Sequence, residues 1–160
     1  MARATRIETA DERVVPYPVE AVFATLADVR AWPRWWPAHL RVKVYPTENG
    51  AAGSLVALDP SGGRPFGVRL VEVIPPSRIR VAYEASWLEG DGSWLLRKRE
   101  TGTVARYEAE VRSNGWLAAL AGRALDLPAI HSQQARDVLG ALEREVGRRT
   151  ASRPRQKAAR

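Results

Sequence analysis

The sequence predicts an α+β protein in which a curved antiparallel sheet surrounds a long C-terminal helix. Segments that alternate apolar and polar residues recur from Leu40 to Arg112, which is typical of half-buried strands. The links between these segments are short, which favours antiparallel pairing. A helical apolar period then extends from Gly115 to about Arg149. An amphipathic helix of that length needs an apolar surface, and the sheet is the only large one available.

The composition is that of one soluble globular domain, which we expect to span residues 1–149. Apolar residues make up 45% of the 160 residues and charged residues 27%. Because the chain has no cysteine, disulfides and thiol catalysis are excluded. With only two histidines, the composition does not indicate a zinc site of the Cys/His kind. We therefore predict neither a metal nor a cofactor.

The chain has no transmembrane or targeting segment that the sequence can identify. No apolar run approaches the roughly 20 residues that span a bilayer. The N-terminal residues MARATRIETADER lack the apolar core of a signal peptide. We predict a cytoplasmic protein, either a monomer or a homodimer.

The net charge of +7 is concentrated at the C-terminus. Residues 150–160 are predicted to form a disordered basic tail. Such a tail can bind polyanions non-specifically, but the folded body shows no basic patch, so no specific nucleic-acid partner is expected. The basic residues from position 148 onward, with no acid among them, are Arg148, Arg149, Arg153, Arg155, Lys157 and Arg160.

The N-terminal part predicts a strand followed by a short helix and an aromatic segment. Arg6 to Val15 forms the strand, and two prolines end it because each lacks a backbone donor. The helix runs from about Pro18 to Val29, and Arg30 to His39 is a helical turn or an ordered loop. The apolar face of the helix consists of Val19, Val22, Phe23 and Leu26.

The middle of the chain predicts consecutive strands separated by turn residues. Glu89 to Gly92 is predicted to be a hairpin turn because Gly-Asp-Gly follows an alternating segment. The predicted strands are Leu40–Val44, Ser54–Leu58, Phe66–Ile74, Arg78–Leu88, Ser93–Arg99 and Thr103–Arg112.

The C-terminal helix is predicted to be interrupted at Pro128, which kinks or breaks it. Beyond that proline, one face carries His131, Ala135, Val138 and Leu142. This face is expected to lie on the sheet.

Three segments and one histidine carry a resemblance to a known superfamily. They are PYPVEAVF…LAD…WPRWWP, between Pro16 and Pro37, VEVIPPSRIRV, from Val71 to Val81, GDGSWLL…GTVARYEAEV, from Gly90 to Val111, and His131. Together they resemble the START-like (SRPBCC) superfamily, and within it the polyketide cyclase/dehydrase and lipid-transport branch. The resemblance covers roughly Ile7 to Val146.

The resemblance implies a helix-grip (START-like, pollen-allergen-like) fold. In that fold a seven-stranded antiparallel sheet curls around a long C-terminal helix, and two short helices close one end. The cavity between sheet and helix holds apolar or amphipathic molecules. Since the superfamily serves many functions, the fold does not settle the function. The branch supplies no shared catalytic set to carry over.

The candidate ligand-binding residues are mostly aromatic. Inner-face side chains either line a cavity or form ordinary core. The tryptophans either border the cavity mouth or form a hydrophobic contact that holds the short helices to the sheet. His131 is either a core histidine or a ligand and proton-transfer group, and it is the weak catalytic candidate. The complete ligand-binding set is Trp35, Trp36, Tyr83, Trp87, Trp94, Tyr107 and His131.

Three functions remain open at this point. The first is binding, and with it transport or sequestration, of a hydrophobic small molecule such as a lipid or aromatic polyketide, which requires a cavity of at least about 300 Å³. The second is a polyketide aromatase/cyclase with His131 as the acid/base and Tyr107 as its helper. The third is a protein-interaction module of the chaperone-activator or ribosome-associated type.

Overall fold

The computed structural model describes residues 4–114 and 126–153 of the chain. The helices in these ranges are two short ones near the N-terminus, with a 3₁₀ turn between them, and one long one. The elements are β1 (Thr5–Val15), α1 (Val19–Ala27), the 3₁₀ turn (Val29–Ala31), α2 (Trp32–Trp35), β2 (Leu40–Thr47), β3 (Gly50–Pro60), β4 (Phe66–Ile74), β5 (Arg78–Ala85), β6 (Leu88–Arg99), β7 (Gly102–Ser113) and α3 (Leu127–Ser152).

The seven strands form one antiparallel sheet in the order β1-β7-β6-β5-β4-β3-β2. The inner face of the curved sheet faces α3, which packs against β1, β7 and α1. The predicted α+β helix-grip architecture is therefore confirmed. The alternation predicted for β7 is also confirmed, because Ala105, Tyr107, Ala109 and Val111 are all buried.

The two short helices close one end of the sheet. The predicted apolar face of α1 is buried, from Val19 to Leu26. The indole Nε1 of Trp32 donates to the carbonyl oxygen of Leu26 at 3.0 Å. This bond ties α2 to the end of α1, and Trp32 is almost fully buried.

The long helix begins at Leu127, so Pro128 lies in its first turn. A proline is tolerated there because the first backbone N–H groups of a helix have no partner within it. The Asp126 side chain caps this end by accepting from the Ala129 amide at 3.0 Å. The helical segment predicted over 115–125 lies outside the described residues. The face with Ala135, Val138 and Leu142 is buried as predicted.

The C-terminal end of α3 is fixed by ion pairs rather than left as a free basic segment. Arg148 and Arg149 both bind the carboxylate of Glu145, at 2.7 and 2.8 Å. Arg149 also reaches Asp28, at the end of α1, at 2.9 Å. The helix continues to Ser152, beyond the predicted domain limit at 149. Residues 154–160 of the predicted tail lie outside the described part of the chain.

The predicted hairpin turn at Glu89 to Gly92 is wrong. The turn comprises Ser86 and Trp87, and β6 already begins at Leu88. Gly90 and Gly92 are therefore interior to a strand, where glycine marks a close approach of neighbouring atoms. A Cβ at Gly90 would lie 2.7 Å from the Cα of Val111 on β7. The glycines serve the packing of the sheet and not a reversal of the chain.

Candidate functional site

An apolar pocket lies between the inner face of the sheet and α3. Its walls are mainly aromatic, and aliphatic side chains from β2 to β5 and from α3 complete them. The polar groups at the wall are the two tyrosine hydroxyls, His131 and Gln134. The aromatic side chains are Trp32, Trp36, Phe66, Tyr83, Trp94 and Tyr107.

The space inside this pocket is small. Its volume is about 60 Å³, enough for a few water molecules and below the roughly 300 Å³ at which small-molecule sites usually begin. In this conformation the pocket between the sheet and α3, as the described residues line it, is not a preformed site for a lipid or polyketide. A ligand of that size has to displace lining side chains.

A continuous hydrogen-bond chain crosses one wall of the pocket. The hydroxyl oxygens of Tyr83 and Tyr107 are 2.6 Å apart. The Tyr83 hydroxyl is also 2.9 Å from Nε2 of His131. The other ring nitrogen of His131, Nδ1, is 2.8 Å from Oγ1 of Thr9 on β1. We call Thr9, His131, Tyr83 and Tyr107 the polar chain.

The two tyrosines belong to strands that are not neighbours, and the glycines of β6 allow them to meet. Tyr83 on β5 lies opposite Gly90, and Gly92 lies between Val81 on β5 and Ala109 on β7. A Cβ at Gly92 would come within 2.9 Å of Cζ of Tyr107 and closer still to its hydroxyl oxygen. Only a residue without a side chain leaves Tyr107 room to reach Tyr83 across β6.

Burial keeps every member of the polar chain that can titrate in its neutral form near pH 7. Burial raises the pKa of Tyr83 well above its ordinary value. It also raises the pKa of Tyr107 to about 12. The pKa of His131 is lowered by burial, and the negative charge of nearby Asp11 opposes this shift. A neutral imidazole can both donate and accept a hydrogen bond.

Trp32, Trp36 and Trp94 form another part of the pocket wall. The rings of Trp32 and Trp36 stack with centroids 4.4 Å apart. Trp36 meets Trp94 edge-on at 6.3 Å, and Trp94 lies 4.6 Å from Tyr107. The indole nitrogens of Trp35 and Trp36 are buried and have no hydrogen-bond partner among the described residues.

The structure brings five of the seven predicted ligand residues to the pocket, namely Trp36, Tyr83, Trp94, Tyr107 and His131. Trp35 packs behind Trp36, with ring centroids 5.2 Å apart, and does not line the pocket. Trp87 lies in the β5–β6 turn, where its Nε1 donates to the Pro65 carbonyl at 3.1 Å. It does not lie on the inner face, because the strand that was predicted to carry it ends at Ala85.

Sequence reasoning missed Thr9, Phe66 and Gln134. The signal for Thr9 is its position in the alternation of β1, two residues from buried Ile7. Phe66 stacks on Tyr83 with centroids 5.7 Å apart, although it is the first residue of its strand. Gln134 follows His131 by three positions on the helix, so the two side chains share one face.

Three other polar residues lie away from the pocket. Arg69 points to the outer face, as its strand parity predicts, and pairs with Glu84 at 2.5 Å. Arg97 is exposed. His39 is about half exposed and lies 3.1 Å from Asp137.

Within the described residues, no group of three or more His, Asp or Glu side chains is placed to hold a metal ion. No described helix is both long enough and apolar enough to cross a bilayer.

Several solved structures share this fold. The di-domain ARO/CYC StfQ of the steffimycin biosynthetic pathway matches with a TM-score of 0.71 and 16% identity, over 91% of this chain and 52% of that one. This chain therefore corresponds to about half of that protein. A protein from Chromobacterium violaceum matches with a TM-score of 0.67 and 20% identity, over 87% of this chain and 96% of that one.

A third structure is norcoclaurine synthase from Thalictrum flavum in complex with dopamine and hydroxybenzaldehyde. It matches with a TM-score of 0.66 and 8% identity, over 95% of this chain and 91% of that one. At these identities the likeness shows the fold alone.

The sequence matches none of the curated proteins with which it was compared. The family model for "Polyketide cyclase / dehydrase and lipid transport" matches residues 6–147, which includes most of α3 and the whole sheet except Thr5. From this match and the shared fold, the chain belongs to the polyketide cyclase/dehydrase and lipid-transport family of the START-like superfamily.

Proposed function

We propose that the protein binds a small hydrophobic molecule between the sheet and α3. One observation carries the proposal: the polar chain ends at the wall of a pocket that is otherwise apolar and largely aromatic. Apolar walls with a few placed polar groups are the usual composition of small-molecule sites. The family includes lipid-transport proteins, and norcoclaurine synthase, of the same fold, holds two small aromatic molecules.

The small volume means that binding includes an opening step. Trp36 lines the pocket and is only partly buried. Its displacement enlarges the pocket, at the expense of its stacking on Trp32 and its edge contact with Trp94. Without a ligand, the rings of Trp32, Tyr83, Trp94 and Tyr107 are already largely shielded from water. The ligand's affinity is reduced by the free energy of this opening.

Native mass spectrometry of the protein purified from cells detects a retained ligand directly. In parallel, the neutral dye N-phenyl-1-naphthylamine reports binding through its fluorescence. Ala135→Leu adds volume at the pocket wall without removing a contact, and we expect it to weaken dye binding at least tenfold.

Trp87→Phe is the matched control, because Trp87 lies outside the pocket, and it should leave dye binding within about twofold, which is about 0.4 kcal/mol. Dye binding that is unchanged by Ala135→Leu would place the dye elsewhere and count against the proposal. A protein that binds no dye and retains no ligand would leave the proposal without support.

A second candidate function is aldol closure and dehydration of a poly-β-ketone, favoured by the neutral His131 hydrogen-bonded to Tyr83. A neutral imidazole near pH 7 can act as a general base. We expect His131→Ala to abolish turnover of a poly-β-ketone while dye binding persists. Unchanged turnover in this variant excludes His131 as the base.

A further inference from the structure

The hydrogen-bonding capacity of the polar chain is almost fully used within the chain itself. A neutral imidazole has one donor and one acceptor, and both ring nitrogens of His131 are taken, by Thr9 and Tyr83. The Tyr83 hydroxyl has two partners, His131 and Tyr107. It therefore gives its single hydrogen to one and accepts from the other.

A hydrogen that is free to be donated to a ligand is left only at the two ends of the chain. Thr9 Oγ1 and Tyr107 Oη each have one hydrogen-bond partner among the described residues. Thr9 does not line the pocket, whereas Tyr107 does. Of the four members, Tyr107 is thus the one that can donate to a ligand without breaking a bond of the chain.

Trp36, which also lines the pocket, carries a second hydrogen-bond donor that is unused. Nε1 of Trp36 is buried and without a partner among the described residues, and an indole N–H can only donate. A buried donor without an acceptor is unfavourable. An acceptor oxygen within reach of this nitrogen would remove the penalty, whereas a purely apolar ligand would not.

We propose that the ligand carries an acceptor oxygen, such as that of a ketone or ester, and that this oxygen bonds to the Tyr107 hydroxyl, while His131 acts on it only through Tyr83. This inference rests on the proposed function and names the polar anchor of the same pocket. Gly92 is a positioning residue, because its missing side chain leaves the Tyr107 hydroxyl its place.

The bound ligand thereby determines which atom donates and which accepts in every hydrogen bond of the polar chain. When Tyr107 donates to the ligand, it must accept from Tyr83, and Tyr83 must accept from Nε2–H of His131. Thr9 then donates to the unprotonated Nδ1. The bound state therefore has His131 in the Nε2–H tautomer, although His131 itself does not contact the acceptor oxygen.

Acetophenone and ethylbenzene test the anchor, because they have similar size and differ in the carbonyl oxygen. Both require the same opening of the pocket, so the opening cancels in a comparison of their affinities. We expect Tyr107→Phe to weaken acetophenone about tenfold, the loss of one hydrogen bond worth about 1.4 kcal/mol. Ethylbenzene should change by less than about twofold, or about 0.4 kcal/mol.

The tautomer provides a second readout that a purely structural role for Tyr107 does not affect. Nitrogen-15 shifts of labelled histidine distinguish Nδ1–H from Nε2–H. We expect His131 to be protonated on Nε2 in the acetophenone complex. His39, the only other histidine of the chain, is exposed and serves as the internal control.

The outcomes separate the anchor from the proposed function. If both compounds bind and Tyr107→Phe weakens them equally, the proposed function stands and the anchor assignment is wrong. The assignment is also wrong if His131→Gln weakens acetophenone more than Tyr107→Phe does, or if bound acetophenone leaves His131 protonated on Nδ1. If neither compound binds to the wild-type protein, the proposed function fails, and this inference fails with it.

If Tyr107→Phe lowers the thermal stability so far that binding cannot be measured, the tautomer of His131 in the wild-type acetophenone complex still tests the anchor. Gly92→Ala tests the positioning role of Gly92 separately. It retains the hydroxyl but moves it, and we expect the same selective loss of acetophenone binding. An unchanged ratio of the two affinities in Gly92→Ala contradicts the positioning role of Gly92.

Discussion

A methyl group at position 92 should destabilise the protein far more than alanine usually does in a strand. Its Cβ would lie 2.9 Å from Cζ of Tyr107 and 3.2 Å from a methyl carbon of Val81. Carbon atoms pack at about 3.5–4.0 Å, so the Tyr107 ring must retreat by about 0.6–1.1 Å. Trp94 and His131 flank that ring, with centroids 4.6 and 6.1 Å away, and they leave it little room to do so.

The retreat breaks the bond between the two tyrosine hydroxyls. Their oxygens are 2.6 Å apart, and an added displacement of that size takes them past the usual limit of about 3.0 Å for O–H···O bonds. A buried hydroxyl that loses its partner costs about 1–3 kcal/mol. The added methyl group strains a packed wall by about 1–3 kcal/mol. Alanine's conformational advantage over glycine in a strand offsets about 0.5–1 kcal/mol, so the net loss is about 3 kcal/mol.

Urea denaturation followed by far-ultraviolet circular dichroism measures this loss. Gly67→Ala is the matched control, because Gly67 is also interior to a strand and its added Cβ would meet its nearest neighbours at 3.3 Å. We expect this control to change stability by less than about 1 kcal/mol. In the Tyr107→Phe background, Gly92→Ala should cost at least about 1 kcal/mol less, because the hydroxyl is absent. Equal losses in both backgrounds, or a loss at Gly92 no larger than at Gly67, refute the reasoning.

Three further predictions concern pH. Hydrogen bonds from Arg148 and Arg149 hold the pKa of Glu145 at about 2, below its ordinary 4.5, so the stability that they confer is present above pH 4.5 and is lost towards pH 2. After discounting for the exposure of Arg148, we expect the free energy of unfolding to fall by about 1–2 kcal/mol more in wild type than in Glu145→Gln between pH 4.5 and pH 2. Denaturation experiments at these pH values measure the difference. Burial raises the pKa of Tyr107 from 10.0 to about 12, so the free energy of unfolding should fall as pH rises from 10 to 12. The tyrosinate absorbance that the wild-type protein gains and Tyr107→Phe lacks should appear near pH 12. Burial lowers the pKa of His131 below 6.5, so the unfolded chain binds the proton more readily than the folded chain does. The free energy of unfolding of the wild-type protein should therefore fall as pH drops below 6.5, and in His131→Gln it should fall less steeply. A proton NMR titration that places the His131 midpoint above 6.5 contradicts this last expectation.

The fold could be predicted because its main signals are local. Alternation in β5, β6 and β7 identified the inner face, and the helical period identified the buried face of α3. The turn before β6 was misplaced because Gly-Asp-Gly is a strong turn signal on its own. The glycines are required instead by β7, because Val111 and Tyr107 approach Gly90 and Gly92 too closely for any side chain. A contact between strands cannot be read from one segment alone.

The site could be predicted only in part, for a related reason. Strand parity placed Tyr83, Trp94 and Tyr107 on the inner face, and helix periodicity placed His131 opposite them. The bonds among them depend on the register of three strands and on the position of α3, which no periodicity fixes. Thr9 is 122 residues from its partner His131, and no feature near Thr9 indicates that partner.

The two glycines of β6, Gly90 and Gly92, also help to fix the register of the strands. A slip of β6 by one residue exchanges its two faces, which would bring Asp91 and Ser93 into the space between Tyr83 and Tyr107. A carboxylate would then be buried beneath two aromatic rings, at a cost that a correctly aligned sheet avoids. Only the native alignment of β5, β6 and β7 places Gly92 beneath Tyr107, so the contact that forms the pocket wall also selects the sheet in which it can form.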